Sequence, residues 1–235
     1  MRTAKTVLTV IQERGKQKKP IERVYKLLFN RELYLNAYAK LYPNNGAMTK
    51  GVTNETVDGM SIQKIDRMIE ILREEKYQWK PARREYIKKK NGKKRPLGIP
   101  VWGDKVLQEV MRQILEAYYE PQFSEHSHGF RPNRGCHTAL QEIQVWKGTR
   151  WFIEGDISQY FDTIDHKILL EILARNIHDG RFIRLVSNML EAGYLEEWKF
   201  KQTISGVPQG GVISPILANI CLLYTSPSPR DMRRS

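Results

Sequence analysis

Apolar residues along this chain fall into runs whose spacing separates helices from extended segments. Over residues 20–41, Ile21, Val24, Tyr25, Leu27, Leu28, Leu35, Tyr38 and Leu41 recur at near-helical spacing, with Lys and Arg between them. That pattern predicts a basic amphipathic helix or a helix pair, whose polar face either meets a partner or is simply solvated. Pro43, Asn44, Asn45 and Gly46 interrupt it, and the chain through Gly51 and Gly59 reads as loop. Ser61 is placed to cap a second helix, with Ile62, Ile65, Ile69 and Leu72 along one side. Within residues 79–100, Asn91 and Gly92 lie between two extended-looking segments, the strongest short hairpin signal. Pro96 and Pro100 place the returning strand at an edge or end it. Asp104 is read as the cap of the cleanest helix, in which Val106, Leu107, Val110, Met111, Ile114, Leu115 and Tyr118 form a core face before Pro121 closes it.

The next informative stretch is residues 151–173. Trp151, Phe152 and Ile153 open an apolar run short enough for a buried strand. The run then carries Glu154 and Asp156, which share one face of a strand. An unpaired carboxylate is costly to bury, so the pair needs a cation, a partner base or water. A metal-dependent site and a strand end facing solvent both satisfy that demand. Tyr160 and Phe161 form a turn, and Asp165 caps a helix with Ile168, Leu169, Ile172 and Leu173. Residues 181–194 read as a helix and 198–204 as a strand. Gly206, Gly210 and Gly211 make a permissive turn, after which Ser214 and Pro215 fit N-cap and N1 of a last helix. Exposed amides ahead of such a helix favour an anion.

Composition narrows the function. No apolar run approaches the ~20 residues needed to span a bilayer, and the N-terminus is too interrupted for a signal peptide. Cys136 and Cys221 are far apart, so a disulfide framework is not indicated and a reducing cytosol is expected. The formal net charge is +13, with a pI near 9.7. A surface so basic attracts polyanions, nucleic acid ahead of anionic lipid. The charge concentrates at the hairpin in Arg83, Arg84, Lys88, Lys89, Lys90, Lys93, Lys94 and Arg95. Phosphate binding explains that density better than an edge-protecting Lys cluster does. His126, His128, Cys136 and His137 lack the spacing of a structural zinc site. Gly129, Arg131, Arg134 and Gly135 instead read as a loop that meets a backbone or phosphate.

Four motifs in order, KKRPLGIP, HSHGFRPNRGCHTAL, FIEGDISQYFDTIDH and GVPQGGVISPILANI, resemble the reverse transcriptases encoded by bacterial and organellar group II introns. The likeness covers roughly residues 57–222. It implies an α+β fold with right-hand polymerase-type fingers and an incomplete palm, helix-rich with a basic β-hairpin. It divides the chain into a basic helical N-terminal extension (1–55), a fingers-like region (56–150), a partial palm (151–222) and a non-native or disordered tail (223–235). The resemblance also implies two Mg²⁺ ions. Asp156 would be the first metal-binding and catalytic carboxylate, with the Ile157 main-chain carbonyl beside it. Phe161 would stack under the deoxyribose, Gln209 would contact the incoming nucleotide with Gly210 letting it approach, and Lys94 and Arg95 would hold its triphosphate. Arg83, Arg84, Lys88, Lys89, Lys90, Lys93, Arg131 and Arg134 would contact nucleic acid. Glu154 is not a ligand in the family, and Asp162 and Asp165 are assigned to turn and cap.

Implied partners are the intron RNA, an RNA template with DNA primer, and deoxynucleoside triphosphates, in a bacterial cytoplasm or an organelle. One departure stands out. The family continues into a Tyr-x-Asp-Asp hairpin after the last helix, whereas this sequence contains no Asp-Asp pair and runs from Leu222 into LYTSPSPRDMRRS. The expectation is a truncated or chimeric frame that binds structured RNA, with a maturase role in the full protein, and does not polymerise. The other readings are a retron or diversity-generating reverse transcriptase, and a non-catalytic RNA-binding splicing cofactor. The long N-terminal segment and the FRPNR loop favour the intron type.

Overall fold

The helix Trp102–Tyr119 is the post on which the other elements pack. Its Val106, Leu107, Val110, Met111, Ile114, Leu115 and Tyr118 are fully buried, as their helical spacing demands. The computed structural model describes residues 2–88, 92, 94–151, 153–197, 199–203, 205–207 and 210–225.

In chain order, α1 (Ala4–Lys16) is capped by Thr3, whose hydroxyl accepts from the Thr6 amide at 3.2 Å. The pattern did not disclose α1, because only Ala4, Ile11 and Gly15 of it are buried. β1 (Ile21–Glu22) leads into a 3₁₀ turn (Val24–Phe29) and α2 (Arg31–Leu41), which Asn30 caps through the Glu32 amide at 3.0 Å. The helix or helix pair expected over 20–41 is therefore one 3₁₀ turn and one α-helix. α3 (Ile62–Arg73) starts at its Ser61 cap and buries Ile65, Ile69 and Leu72.

β2 (Ala82–Lys88) and β3 (Lys94–Ile99) form the antiparallel hairpin, in register from Arg83 opposite Ile99 to Lys88 opposite Lys94. Next comes α4 (Trp102–Tyr119), whose N-cap is Val101 rather than Asp104. Asp104 is only 2% exposed. Its carboxylate accepts from Tyr77 Oη at 2.7 Å and the Lys80 amide at 3.0 Å. It ties the preceding segment to the first turn and is not free to cap.

α5 (Cys136–Gln144) follows the stretch read as loop and buries none of its residues. α6 (Tyr160–Thr163) is one short turn, and α7 (His166–Asn176) starts from Asp165, which accepts from the Ile168 amide at 2.9 Å. β4 (Ile177–His178), α8 (Gly180–Glu191), β5 (Tyr194–Glu196), β6 (Lys199–Lys201) and α9 (Ser214–Thr225) complete the chain. β1 pairs parallel with β4. The second sheet runs β3-β2-β5-β6, with β2 and β5 parallel. These pairings cross the boundaries expected after residues 55 and 150, and the first three segments share one hydrophobic core.

The buried strand expected to open at Trp151 is not formed among the described residues 151 and 153–157. Trp151 is 87% and Ile153 93% exposed. A strand needs a neighbour for its amides and carbonyls, and no described strand pairs with this segment.

Candidate active site and nucleic-acid face

The site is held together by main-chain contacts around α6. The Val207 amide donates to the Phe161 carbonyl at 2.7 Å, and the Gly206 amide to the Ile164 carbonyl at 2.8 Å. Gly206 has φ of +87°, and a Cβ there would lie 2.8 Å from the Phe161 and Asp162 oxygens. Only glycine lets this turn close on α6. Tyr160 Oη donates to the Ala218 carbonyl of α9 at 2.8 Å, which locks α6 from the other side. Phe161 is half-buried, with its ring edge-on to Phe130 at 6.3 Å. Phe130 is 70% exposed. It lies inside the FRPNR motif, yet its residue type alone gave no reason to pair it with Phe161.

Gly210 joins this turn to the hairpin. Its φ is +105°, and a Cβ there would lie 2.7 Å from Leu97 Cδ1 and 2.8 Å from the Gly98 carbonyl of β3. The Val212 amide donates to Gln108 of α4 at 2.9 Å. The glycine thus serves the close seating of the turn on β3, a reason independent of any nucleotide. Between the hairpin and α6 lies a cleft of about 340 Å³, with Arg84, Pro96 and Gly98 on one wall and Asp162, Ser205 and Gly206 on the other.

Hairpin side chains divide into two sets. Lys88, Lys94 and Arg95 are exposed. Arg83 is turned back onto the Lys50 carbonyl at 2.9 and 3.0 Å and pairs with Glu85. The Arg84 guanidinium stacks on Tyr194, 3.8 Å from the ring centre. Arg83 and Arg84 therefore brace the sheet, while Lys88, Lys94 and Arg95 lie exposed nearer the tip. Lys89, Lys90, Lys93 and Gln209 lie outside the described residues.

The assignment of Arg131 to nucleic acid is corrected. Arg131 is 8% exposed. Its guanidinium holds Glu120 at 2.8 Å and the carbonyls of Ser124 and Ser127 at 2.5 and 2.8 Å. It also lies over Phe123. A guanidinium with its donors taken inside the loop cannot reach a phosphate. Arg134, partly exposed, donates to the Glu125 carbonyl. His126 and His128 both meet Glu142 of α5, His128 at 2.8 Å. Hydrogen bonds from His128 and then His126 hold the Glu142 carboxyl below the usual range. The two histidines staple the loop to α5.

Asp156, Glu154 and Ile157 are all exposed. Among the described residues no group of three or more His, Cys, Asp or Glu is arranged to hold a metal ion. Two Mg²⁺ ions need several oxygen ligands each, so the described donors do not fit a two-ion centre. Nor is any described helix long and apolar enough to cross a membrane.

The arrangement has relatives. Residues 87–231, more than half of the chain, match the family model described as reverse transcriptase (RNA-dependent DNA polymerase). The chain belongs to the reverse transcriptase family, and its α+β architecture is of the fingers and palm type. It is 50% identical over 202 residues to the group II intron-encoded protein LtrA of Lactococcus lactis subsp. cremoris, covering 85% of this chain and 34% of that protein. It is 48% identical over 227 residues to an uncharacterised 91 kDa protein in the cob intron of Schizosaccharomyces pombe, covering 93% and 28%. Among solved structures, a partial Cas6-RT-Cas1–Cas2 complex matches with a TM-score of 0.56 at 20% identity, over 85% of this chain and 34% of that one. That likeness carries the fold alone. The chain spans about a third of the length of these curated relatives.

Proposed function

We propose that this chain supplies the fingers and the first part of the palm of an RNA-directed DNA polymerase encoded by a group II intron, and that it binds the structured RNA of that intron as a maturase does. The observation that carries the reading is the double seating of the glycine turn, Gly206 on α6 and Gly210 on β3. It puts Asp162, the neighbour of Phe161 in α6, on a cleft whose other wall carries Arg84, Pro96 and Gly98 of the hairpin. On this reading residues 1–55 are the N-terminal extension, 56–150 the fingers and 151–222 the palm portion. Lys94 and Arg95 grip the triphosphate of a deoxynucleotide, and Phe161 lies under its sugar. Gln209 would contact the nucleotide, and Asp156 with the Ile157 carbonyl would supply oxygens to Mg²⁺, the family's usual ion, in a protein that adds the remaining ligands. Nucleotide addition then belongs to a protein in which Asp156 has acidic partners, and RNA binding is the activity assigned to the described residues themselves.

Primer extension on an intron RNA template tests this, with this chain and with a protein of its relatives' full length. The short chain should bind RNA without extending. The long protein should lose extension on Asp156→Asn and keep RNA binding. Undiminished extension by Asp156→Asn would remove Asp156 from the site. The exposure of Asp156, which belongs to no described group of three or more His, Cys, Asp or Glu, favours a second reading, a splicing cofactor without chemistry. Full-length protein that aids splicing yet never extends a primer would select it.

A further inference from the structure

Phe130 has a backbone conformation that its own side chain opposes. Its φ is 56°, in the left-handed region, where Cβ crowds the carbonyl and glycine or asparagine is the usual occupant. The same loop takes that conformation again at Asn133, φ 57°, with a residue suited to it. A bulky residue in this region persists only where its surroundings over-determine it, and such residues cluster at functional sites. Burial does not account for this one, because the ring is 70% exposed.

The loop is anchored on both sides of Phe130. Asn219 of α9 donates through Nδ2 to the Gly129 carbonyl at 2.9 Å. On the other side, the buried Arg131 guanidinium holds Glu120 and the carbonyls of Ser124 and Ser127. Ala218, next to Asn219, accepts from Tyr160 Oη and so fixes α6. Two consecutive residues of α9 therefore set the loop and α6 against each other. Their outcome is the contact between the Phe130 and Phe161 rings, with centroids 6.3 Å apart and planes at 90°. Aromatic pairs favour such an edge-on arrangement at ~4.5–7 Å. Phe161 also meets the ring of Tyr160, at 6.0 Å, but Phe130 is the neighbour that comes from outside α6.

We infer that Phe130 is a positioning residue for Phe161, holding that ring at one tilt and so setting how strictly the site rejects a ribonucleotide. This rests on the reading that Phe161 lies under the sugar of the incoming nucleotide. A ring that cannot turn aside excludes a 2′-hydroxyl by volume, and one that can swing makes room for it. Exclusion by shape alone weakens when the wall yields.

The test is primer extension by the protein of its relatives' full length, comparing kcat/KM for deoxyadenosine triphosphate with kcat/KM for ATP. Phe130→Ala should lower that ratio about tenfold, through faster use of ATP. Phe130→Tyr keeps the ring edge and should restore the ratio. Phe161→Ala should lower the ratio as well, and adding Phe130→Ala to it should lower it no further, because the one ring acts through the other. Melting temperatures of the short chain should be the same with and without Phe130→Ala, since the ring is largely exposed. An unchanged ratio in Phe130→Ala beside a lowered one in Phe161→Ala, or additive losses in the double variant, would overturn the proposal while leaving the polymerase reading in place. A fall in melting temperature with the ratio kept would make the ring a packing element and overturn it too. A wild-type protein that never extends a primer, or a ratio indifferent to Phe161→Ala, would remove the reading beneath the proposal and the proposal with it.

Discussion

Gly210 rests on the carbonyl of Gly98, with room for no side chain: a Cβ would come within 2.8 Å of that oxygen. This contact couples the glycine turn to the β2–β3 hairpin. Gly210→Ala must strain a φ of +105° and push β3 away. A loss of about 1–3 kcal/mol is expected, read as a lower urea midpoint at unchanged slope. An unchanged midpoint would show that the turn is not seated on β3.

Burial lifts the Asp104 carboxyl from its usual value to about 6, against the hydrogen bonds from Tyr77 and Lys80 that pull it down. The folded state thus holds the proton more tightly than the unfolded chain. The stability this group adds is full below its unfolded value near 3.8 and is lost as pH rises through about 6. Asp104→Asn should remove a fall of roughly 3 kcal/mol across that window, at ~1.4 kcal/mol per pH unit. Urea titrations from pH 4 to 7 check it; parallel curves for the two proteins would mean the carboxyl is not shifted.

Arg131 and the lysines at the hairpin should separate stability from binding. Arg131→Ala leaves Glu120 and two carbonyls without their donor. It should cost about 2 kcal/mol or more, with RNA affinity intact once the folded fraction is matched. Lys88→Ala combined with Lys94→Ala should do the reverse. Thermal melts and filter binding on the same samples decide it.

The sequence announced its capped helices well, because cap and apolar stripe are local signals: Ser61 and Asp165 cap where expected. It hid α1, whose apolar side is thin, and α5, whose Leu140 and Ile143 are exposed. It misled at 151–157, where an apolar run reads as a strand although no described strand pairs with it. The glycine turn was visible as a turn, but its seat on β3 joins residues 112 positions apart and has no local trace. Arg131 shows the same limit. A motif names the guanidinium, and only packing tells whether it faces in or out.

RNA binding by the basic hairpin is the property on which the proposed function rests. The direct measurement is the salt dependence of affinity for a group II intron RNA, with and without Ala at Lys88, Lys89, Lys90, Lys93 and Lys94. The slope of log affinity against log salt should flatten by about 0.7 for each phosphate that the altered hairpin no longer neutralises. An identical slope for the two proteins would take the hairpin off the RNA surface and overturn that assignment.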